Sequence, residues 1–334
     1  MLPHTSILDA LIRLKLMEPS ERPSFTELHG GISSEIYKID LKLGPVCAKR
    51  ALPTLKSDPD WHVPVERSAA EWEWLRMAQE IVPGLAPNPL GYDQEANILV
   101  MTYLEPERYP NWKDLLKRGL IEPSFAAAAA DKLVQLQNAT AGMKEAQQRF
   151  DNDKTFHDIR LEAYFLATGR AIPAVGDLMN EIVKKIAVAK CALVHGDVSP
   201  KNILAGPDGP ILLDAECAWY GEPAFDAAFC LTHLLLKCLW RPQWRAQYLE
   251  CHKQFWETYL SKANWLDRTE LDRRVARLHL SILLARVAGR SKVEYVVDPT
   301  IQYMVQEFAT QHLLGNIEST DEVAELWERS IDDN

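Results

Sequence analysis

Cysteine, glycine and basic residues are all in short supply in this chain of 334 residues. None of the six cysteines stands in a CxxC pair, which argues against a zinc or redox site. Several of them lie in apolar runs, as reduced and buried cysteines do, so we expect a cytoplasmic protein. The few glycines form neither a GxGxxG motif nor a GxxxxGK[ST] loop, which argues against nucleotide-binding folds built on those motifs.

The chain also lacks an excess of positive charge and any long apolar run. Its net charge of −10 argues against a nucleic-acid partner, which would require a basic face. The most apolar stretch, 225–240, contains Asp226, His233 and Lys237, so we predict a buried core helix and no membrane span. Residues 5–15 have the leucine spacing of a short amphipathic helix and lack the features of a targeting signal.

The secondary-structure pattern of the sequence changes near residue 105. Before it, strands over 34–43 and 46–51 are predicted to pair around a Gly44-Pro45 turn. A helix is expected over 67–80, followed by a second hairpin that begins near residue 89, turns over 91–97 and ends at 104. After it the chain is mostly helical, at about 112–119, 123–141, 157–168, 173–189, 224–238, 241–261, 268–289 and 299–314. We therefore predict an α+β chain with a small strand-rich lobe (1–104) and a larger helical lobe (105–334).

Two acidic segments interrupt the helical part. Asp197 follows a short apolar strand, Asn202 comes five residues later, and Asp214 ends a second apolar strand. A Pro-Asp-Gly turn within 205–210 predicts a hairpin that brings Asn202 and Asp214 together. A carboxylate that accepts a hydroxyl proton, beside an amide and a carboxylate that hold Mg²⁺, is what phosphoryl transfer from a nucleotide requires. A lone aspartate usually caps a turn, so the spacing of all three residues carries this interpretation.

Lys49 alternates with apolar residues on the predicted strand 46–51. An unpaired ammonium is costly to bury, so we expect it to bind the α- and β-phosphates of a nucleotide. Glu71, on the next helix, is the predicted ion-pair partner, and Glu73 is the alternative. The competing interpretation is that Lys49 points to solvent from an edge strand.

Two further segments are predicted to contact the nucleotide. The glycine pair ahead of strand 34–43 would let the backbone approach phosphates, and the serine hydroxyls beside it would bind them. These residues are Gly30, Gly31, Ser33 and Ser34. The extended linker between the lobes is predicted to bind adenine through the Thr102 carbonyl and the Leu104 N–H.

Three residues near the acidic motif have less specific roles. His195 is expected to support the loop through hydrogen bonds to the backbone and not to act as a base. Lys201 is predicted either to neutralise the γ-phosphate or to be an ordinary surface lysine. Glu216 is predicted to bind metal indirectly or to touch the acceptor, with a solvated or salt-bridged glutamate as the alternative.

The segment from His195 to Asn202, together with Asp214-Ala215-Glu216, resembles the motif of the aminoglycoside/choline phosphotransferase superfamily. The stretch 214–226 and the order of Lys49, Trp61, Arg67 and Glu71 are similar to methylthioribose kinases. The resemblance covers nearly the whole chain. It implies a bilobal protein-kinase-like fold that uses ATP and Mg²⁺ to phosphorylate a hydroxyl of a small metabolite, a sugar or an aminoglycoside-like acceptor.

Residue roles follow from the same resemblance. Asp197 would be the catalytic base, Asn202 and Asp214 the Mg²⁺ ligands, and Lys49 with Glu71 the phosphate-anchoring pair. Asp226 would brace the catalytic loop through backbone hydrogen bonds. Residues of the helical lobe are candidates for acceptor recognition, and these are Arg160, Tyr164, Trp219 and Arg286.

Several alternatives stay open at this point. The chain could be a catalytically silent kinase-like protein that binds a nucleotide, although Lys49, Asp197, Asn202 and Asp214 are all present. It could be an antibiotic-modifying aminoglycoside phosphotransferase instead of a metabolic kinase. A protein kinase is disfavoured because no Phe-Gly follows Asp214. We expect no nucleic-acid or membrane partner, and the sequence leaves open the acceptor, the choice of ATP over GTP, and whether the chain forms a homodimer.

Overall fold

The first lobe is an antiparallel sheet of five strands, in the spatial order β1-β2-β3-β7-β6. The computed structural model describes residues 3–28, 33–55 and 58–332 of the chain. Its strands are β1 (Ser24–Glu27), β2 (Ser34–Leu41), β3 (Gly44–Ala51), β6 (Pro89–Asp93) and β7 (Ile98–Thr102), with a separate hairpin of β4 (Thr54–Leu55) and β5 (Asp58–His62). Two helices complete the lobe, α1 (Pro3–Arg13) and α2 (Arg67–Ile81). The predicted strand pairing is confirmed, while β1 and the β4–β5 hairpin were not predicted.

The turn between β2 and β3 lies two residues earlier than predicted. Leu41 pairs with Gly44, so the turn residues are Lys42 and Leu43. Gly44 has a φ of +112°, a backbone conformation that glycine adopts at little cost, and it therefore begins the strand instead of forming the turn. The predicted Gly44-Pro45 turn is wrong for this reason.

Helix α1 covers one face of the sheet and forms a small core with it. Ile7 and Leu11 are buried against Ile39 and Val100. The last turn of α1 is tied to β6 by the Arg13 guanidinium, whose Nε lies 2.7 Å from Asp93 Oδ2. The predicted amphipathic helix is therefore confirmed, and it is a structural part of the lobe.

The second lobe is mostly helical, and the predicted α+β fold class is confirmed. Its helices are α3 (Trp112–Lys117), α4 (Pro123–Thr140), α5 (Lys144–Arg149), α6 (Asp153–Phe156), α7 (Ala167–Ala171), α8 (Gly176–Val188), α9 (Ala224–Trp240), α10 (Arg245–Lys262), α11 (Arg268–Ala288), α12 (Pro299–Leu314) and α13 (Thr320–Asp332). Its short strands are β8 (Ala192–Val194), β9 (Ile203–Gly206), β10 (Gly209–Leu212) and β11 (Trp219–Gly221). The division of the chain near residue 104 stays a prediction, because one large core includes Leu99 and Met101 as well as the helical lobe.

Helix α9 is the centre of the second lobe. It packs against α10 and α11, and every residue from Ala224 to Cys238 is buried. Asp226, His233 and Lys237 are therefore enclosed by protein, and the predicted buried core helix is confirmed. Among the described residues, no helix combines the length and the apolar composition that crossing a membrane requires.

Candidate active site

A buried carboxylate fixes the loop that carries Asp197. Strand β8 pairs with β11, and the chain then turns at Gly196 with a φ of +81°. A Cβ at Gly196 would lie 2.8 Å from the Cys217 carbonyl oxygen, so only glycine fits this turn. The N–H groups of His195 and Gly196 each donate to Asp226 at 2.8 Å. The bracing role expected of Asp226 is confirmed.

Asp226 is fully buried, and its surroundings shift the pKa of its carboxyl in two opposite directions. Burial raises the pKa of Asp226 to about 7, and the three N–H donors that surround it oppose this shift. The third donor is Gln137 Nε2, at 3.1 Å from Oδ2. Asp226 therefore fixes the backbone at the start of the loop.

Asp197 lines the cleft, and only 6% of the residue is exposed to solvent. Arg160 Nη2 and Lys201 Nζ approach its Oδ2, at 3.3 Å and 3.2 Å. Burial alone would raise the pKa of Asp197, but the cations Lys201 and Arg160 outweigh it and hold the pKa well below its usual range. Asp197 is therefore ionised at neutral pH and able to accept a proton or a hydrogen bond from a hydroxyl.

Arg160 reaches the catalytic loop from a π-helical segment, His157–Leu166. Its Nε donates to the carbonyl of Gly196, in addition to its contact with Asp197. The sequence predicted an ordinary helix over 157–168 and a role for Arg160 in acceptor binding. The wider turn of a π-helix, which is common at functional sites, directs this guanidinium to the loop, and its role in acceptor binding stays a prediction.

The two predicted metal ligands are brought together by the hairpin β9–β10. Ile203 pairs with Leu212, and the Leu213 N–H donates to the Asn202 carbonyl at 2.8 Å, so the predicted hairpin is confirmed. Asn202 Nδ2 donates to the Asp197 carbonyl at 3.1 Å, which leaves its Oδ1 as the free acceptor. Asp214 follows with a φ of +67°. An amide oxygen and a carboxylate are hard ligands of the kind that Mg²⁺ prefers, so these residues fit the ion.

Lys49 is buried on β3, which lies between β2 and β7, so the alternative of an exposed edge lysine is wrong. Its Nζ is 2.7 Å from Glu71 Oε2 and also contacts Asp214, so the predicted ion pair is present. Burial alone would lower the pKa of Lys49, but Asp214 and Glu71 raise it well above its ordinary value. For Glu71 the effects are reversed: burial raises the pKa of its carboxyl to about 7, and the nearby Lys49 ammonium partly opposes this shift. The ammonium is thus held charged beside Asp214, the predicted metal ligand.

His195 has the supporting role that the sequence predicts. The Asp197 N–H donates to its Nδ1 at 3.2 Å, and its ring packs edge-on against Trp74. Burial lowers the pKa of His195 to about 4, so the ring is neutral. A neutral ring that accepts a backbone hydrogen bond orients the loop and is not placed to act as a base.

Two predicted auxiliary residues are engaged elsewhere. Glu216 Oε2 lies 2.9 Å from Arg67 Nε, so it is the salt-bridged glutamate of the alternative interpretation. Trp219 is buried on β11, stacks on Phe156 at 4.3 Å and donates to Asp153. Its indole is a core side chain, and the structure does not bring it to the cleft.

The predicted nucleotide contacts are described only in part. Gly30 and Gly31 lie outside the described residues. Ser33 and Ser34 are buried where β2 begins, and the Ser34 hydroxyl has no hydrogen-bond partner among the described residues. Thr102 ends β7, and in the described part of the chain no backbone hydrogen bond uses the Leu104 N–H, so that donor is available to a ligand.

Arg67 is a buried connection that the sequence analysis did not identify. Its guanidinium donates to the carbonyls of Ser33, Leu52 and Pro64, and it pairs with Glu216. It therefore ties the start of β2 and the end of β3 to the segment that follows Asp214. One signal was available, since a basic residue in the first turn of a helix opposes the helix dipole and needs another reason to be there.

Comparison with known proteins gives one family. The model of the phosphotransferase enzyme family matches residues 24–266. A methylthioribose kinase of rice is 26% identical over 242 residues, which are 63% of this chain and 55% of the relative. A methylthioribose kinase of Pectobacterium atrosepticum is 26% identical over 292 residues, 76% of this chain and 72% of that protein. The chain thus spans little more than half the length of the rice relative.

A solved structure of a spectinomycin phosphotransferase with ADP and spectinomycin has a similar fold. Its TM-score is 0.53 at 14% identity, and the match covers 97% of this chain and 98% of that one. At this identity the likeness concerns the fold alone.

Proposed function

We propose, from the premise that this chain belongs to the phosphotransferase enzyme family, that it transfers the γ-phosphoryl group of ATP to a hydroxyl of a small molecule. The observation that carries the proposal is the convergence of four residues from distant parts of the chain. Asp197 and Asn202 share the catalytic loop, and Lys49 contacts Asp214 from the sheet lobe. Each has the chemistry that phosphoryl transfer needs.

The ionised Asp197 is proposed to bind and orient the attacking hydroxyl and to accept its proton. The bond between the γ-phosphorus and the bridging oxygen of ATP breaks, a new bond to the hydroxyl oxygen forms, and the products are ADP and a phosphate monoester. Arg160 keeps Asp197 in place through its contacts with the carboxylate and with the Gly196 carbonyl.

The nucleotide is proposed to lie between the lobes. Lys49, held by Glu71, binds its phosphates, and the Leu104 N–H binds adenine. Asn202 and Asp214 would hold Mg²⁺, which supplies positive charge that neutralises the phosphates when it is bound. Lys201 is a second cation beside Asp197 and is proposed to interact with the γ-phosphate.

A catalytically silent nucleotide-binding protein is the alternative function, because a family match alone does not establish turnover. The presence of Lys49, Asp197, Asn202 and Asp214 in one cleft disfavours it. The acceptor is proposed to be a hydroxylated small molecule, and the relatives named methylthioribose kinase favour a sugar or a sugar-like metabolite.

Loss of one metal ligand should separate nucleotide binding from folding. We expect Mg²⁺-ATP to raise the melting temperature of the protein, and this increase to shrink at least severalfold in Asp214→Ala, because a carboxylate ligand of Mg²⁺ is removed. The measurement is a thermal shift titration with ATP, with and without Mg²⁺. Asp208→Ala, in the exposed turn between β9 and β10, is the matched control. An unchanged ATP-dependent shift in Asp214→Ala would contradict the metal assignment.

A further inference from the structure

One face of helix α9 leads away from the catalytic loop and carries a row of polar and aromatic side chains. Asp226, Phe229, His233, Lys237 and Trp240 are spaced by three or four residues, so they share that face. At 1.5 Å per residue, His233 is about 10 Å and Lys237 about 16 Å along the axis from Asp226. The row therefore begins under the catalytic loop and continues beyond the reach of Asp197.

Side chains from other elements meet this row. Arg286 of α11 donates from Nη1 to the Tyr164 hydroxyl at 3.0 Å, and His233 Nδ1 is 3.3 Å from the Tyr295 hydroxyl. The Tyr164 ring lies under both Arg286 and Arg160, each at 5.6 Å from its centroid. Since Arg160 touches Asp197, the cluster is continuous with the proposed catalytic centre.

The cluster contains more positive than negative charge. In the described ranges, neither Lys237 nor Arg286 has a carboxylate within 4.0 Å, although Lys237 is 1% and Arg286 7% exposed. Two carboxylates raise the pKa of Lys237. Glu294 is already paired with Lys113, and Asp114 is exposed. Buried cations normally have a paired anion, because the loss of hydration is otherwise not compensated.

Two donors in the cluster also lack a partner. Arg286 Nε and His233 Nε2 are buried and form no hydrogen bond within the described part of the chain, whereas Arg286 Nη1 donates to Tyr164 and Ser291. The Tyr295 hydroxyl can donate to His233 Nδ1, which leaves Nε2–H as a donor. An unmade hydrogen bond of a buried donor costs about 1–3 kcal/mol, so an acceptor atom of a ligand is the partner that would satisfy both groups.

The aromatic rings compensate the lysine only in part. Lys237 Nζ lies 4.8 Å from the centroids of both Trp240 and Tyr295, which stack on one another. Burial and the neighbouring Lys113 nevertheless lower the pKa of Lys237 to about 7. A nearby anion would favour the charged ammonium, so this lysine is suited to respond to a negatively charged ligand.

We propose that the acceptor is a hydroxylated small molecule that bears a carboxylate or a phosphate, and that Lys237, Arg286 and His233 bind this anionic group while Asp197 engages the hydroxyl. The inference rests on the function proposed above and specifies its substrate class. A polycationic aminoglycoside or an amino alcohol would meet like charge at this end of the site and is disfavoured.

Matched acceptors that differ only in charge test the proposal. D-Gluconate, D-sorbitol and D-glucamine share a six-carbon polyol chain and end in a carboxylate, an alcohol and an ammonium. D-Ribose 5-phosphate and D-ribose form a second pair, which distinguishes a phosphate from a carboxylate. Binding of each is measured by calorimetry with Mg²⁺ and a non-hydrolysable ATP analogue, and turnover by ADP release. We expect at least one of two results. D-Gluconate binds at least tenfold more tightly than D-sorbitol and D-glucamine, or D-ribose 5-phosphate binds at least tenfold more tightly than D-ribose.

Variants then assign the effect to the cluster. Lys237→Met and Arg286→Met should reduce the preference for the anion over the matched neutral polyol at least tenfold. Lys117→Met is the control, because this exposed lysine lies 5.9 Å from the same Trp240 ring on the solvent side and its replacement should leave the preference unchanged.

The results separate this inference from the proposed function. Tighter binding of a neutral or cationic member, or no binding of either anion at millimolar concentration, would overturn the inference. An unchanged preference in both methionine variants would overturn the assignment of the residues. Failure of the proposed function would be seen differently, as absence of Mg²⁺-ATP binding and of ATP turnover with every acceptor.

Discussion

Replacement of Asp197 by asparagine is expected to lower kcat by a factor of about 10² to 10⁴ while leaving the affinity for Mg²⁺-ATP nearly unchanged. Asparagine keeps the shape of the side chain and an oxygen for Arg160, but it cannot accept a proton from the acceptor hydroxyl. The nucleotide contacts of Lys49, Asn202 and Asp214 do not depend on the charge of Asp197. The loss corresponds to about 3–5 kcal/mol of transition-state stabilisation.

The control for this experiment must carry the same chemical change away from the cleft. Asp208→Asn, in the exposed turn of the β9–β10 hairpin, meets this need and should retain wild-type turnover. Thermal melting of both variants checks that they fold, and calorimetry with ATP measures binding separately from transfer. Turnover near the wild-type rate in Asp197→Asn would show that another residue accepts the proton.

Acid destabilisation carried by buried histidines is the second large effect that we expect. Burial lowers the pKa of His252 to about 3, and burial and the neighbouring ring hold the pKa of His279 well below its usual range. Their rings stack at 5.2 Å, and both nitrogens of His279 and the Nε2 of His252 find no hydrogen-bond partner in the described ranges. Both rings are therefore neutral in the folded protein at pH values where an unfolded chain would protonate them.

The sign of the effect follows from the protons that each state binds. Below about pH 6.5 the unfolded chain takes up a proton at each histidine and the folded protein does not, so stability falls as pH falls. A histidine contributes a slope of about 1.4 kcal/mol per pH unit between its folded and unfolded pKa values, and for His252 this window extends from about pH 6.5 down to about pH 3. His279 adds a contribution of the same sign. Asp226 and Glu71, whose pKa values are raised to about 7, contribute slopes of the opposite sign.

Comparison with a variant isolates the histidine contribution from those carboxyls. The double replacement of His252 and His279 by leucine should make the free energy of unfolding fall less steeply between pH 6 and pH 4, by about 1.4 kcal/mol per pH unit from His252 and by a further amount from His279. The measurement is urea unfolding at a series of pH values, and His62→Leu, at an exposed histidine, is the control. Parallel pH profiles for the wild type and the double variant would show that these rings are charged in the folded state.

Local signals were sufficient to predict the centre of the site. The Pro-Asp-Gly turn and the two apolar runs around it determine the β9–β10 hairpin, and the hairpin alone brings Asn202 close to Asp214. Lys49 was predictable for a different reason, because a lysine within an alternating apolar strand requires an anion. The longer helices of the second lobe followed from apolar periodicity, with boundaries that differ from the structure mostly by a few residues, whereas the short helices α5 and α6 were not predicted.

Contacts between distant segments were not predictable from local patterns. Nothing in 157–168 distinguishes a π-helix from an ordinary helix, so the contact of Arg160 with the catalytic loop was missed. The pairing of Glu216 with Arg67 depends on how the two lobes meet, across 149 residues of sequence. Trp219 was assigned to the acceptor site because of its position after Asp214, but the pairing of β11 with β8 places it in the core. Strand β1 was missed because its side chains are mostly exposed and lack apolar alternation.

The central claim is that the chain moves a phosphoryl group from ATP to the hydroxyl of a small molecule. The most direct measurement is ³¹P NMR of the protein with Mg²⁺-ATP and the matched panel of polyols, sugar acids and sugar phosphates. We predict that the γ-phosphate signal decreases as ADP and a new phosphate monoester appear together, and that the monoester is absent with Asp197→Asn. Consumption of ATP to give only inorganic phosphate, or no consumption with any acceptor, would contradict the claim.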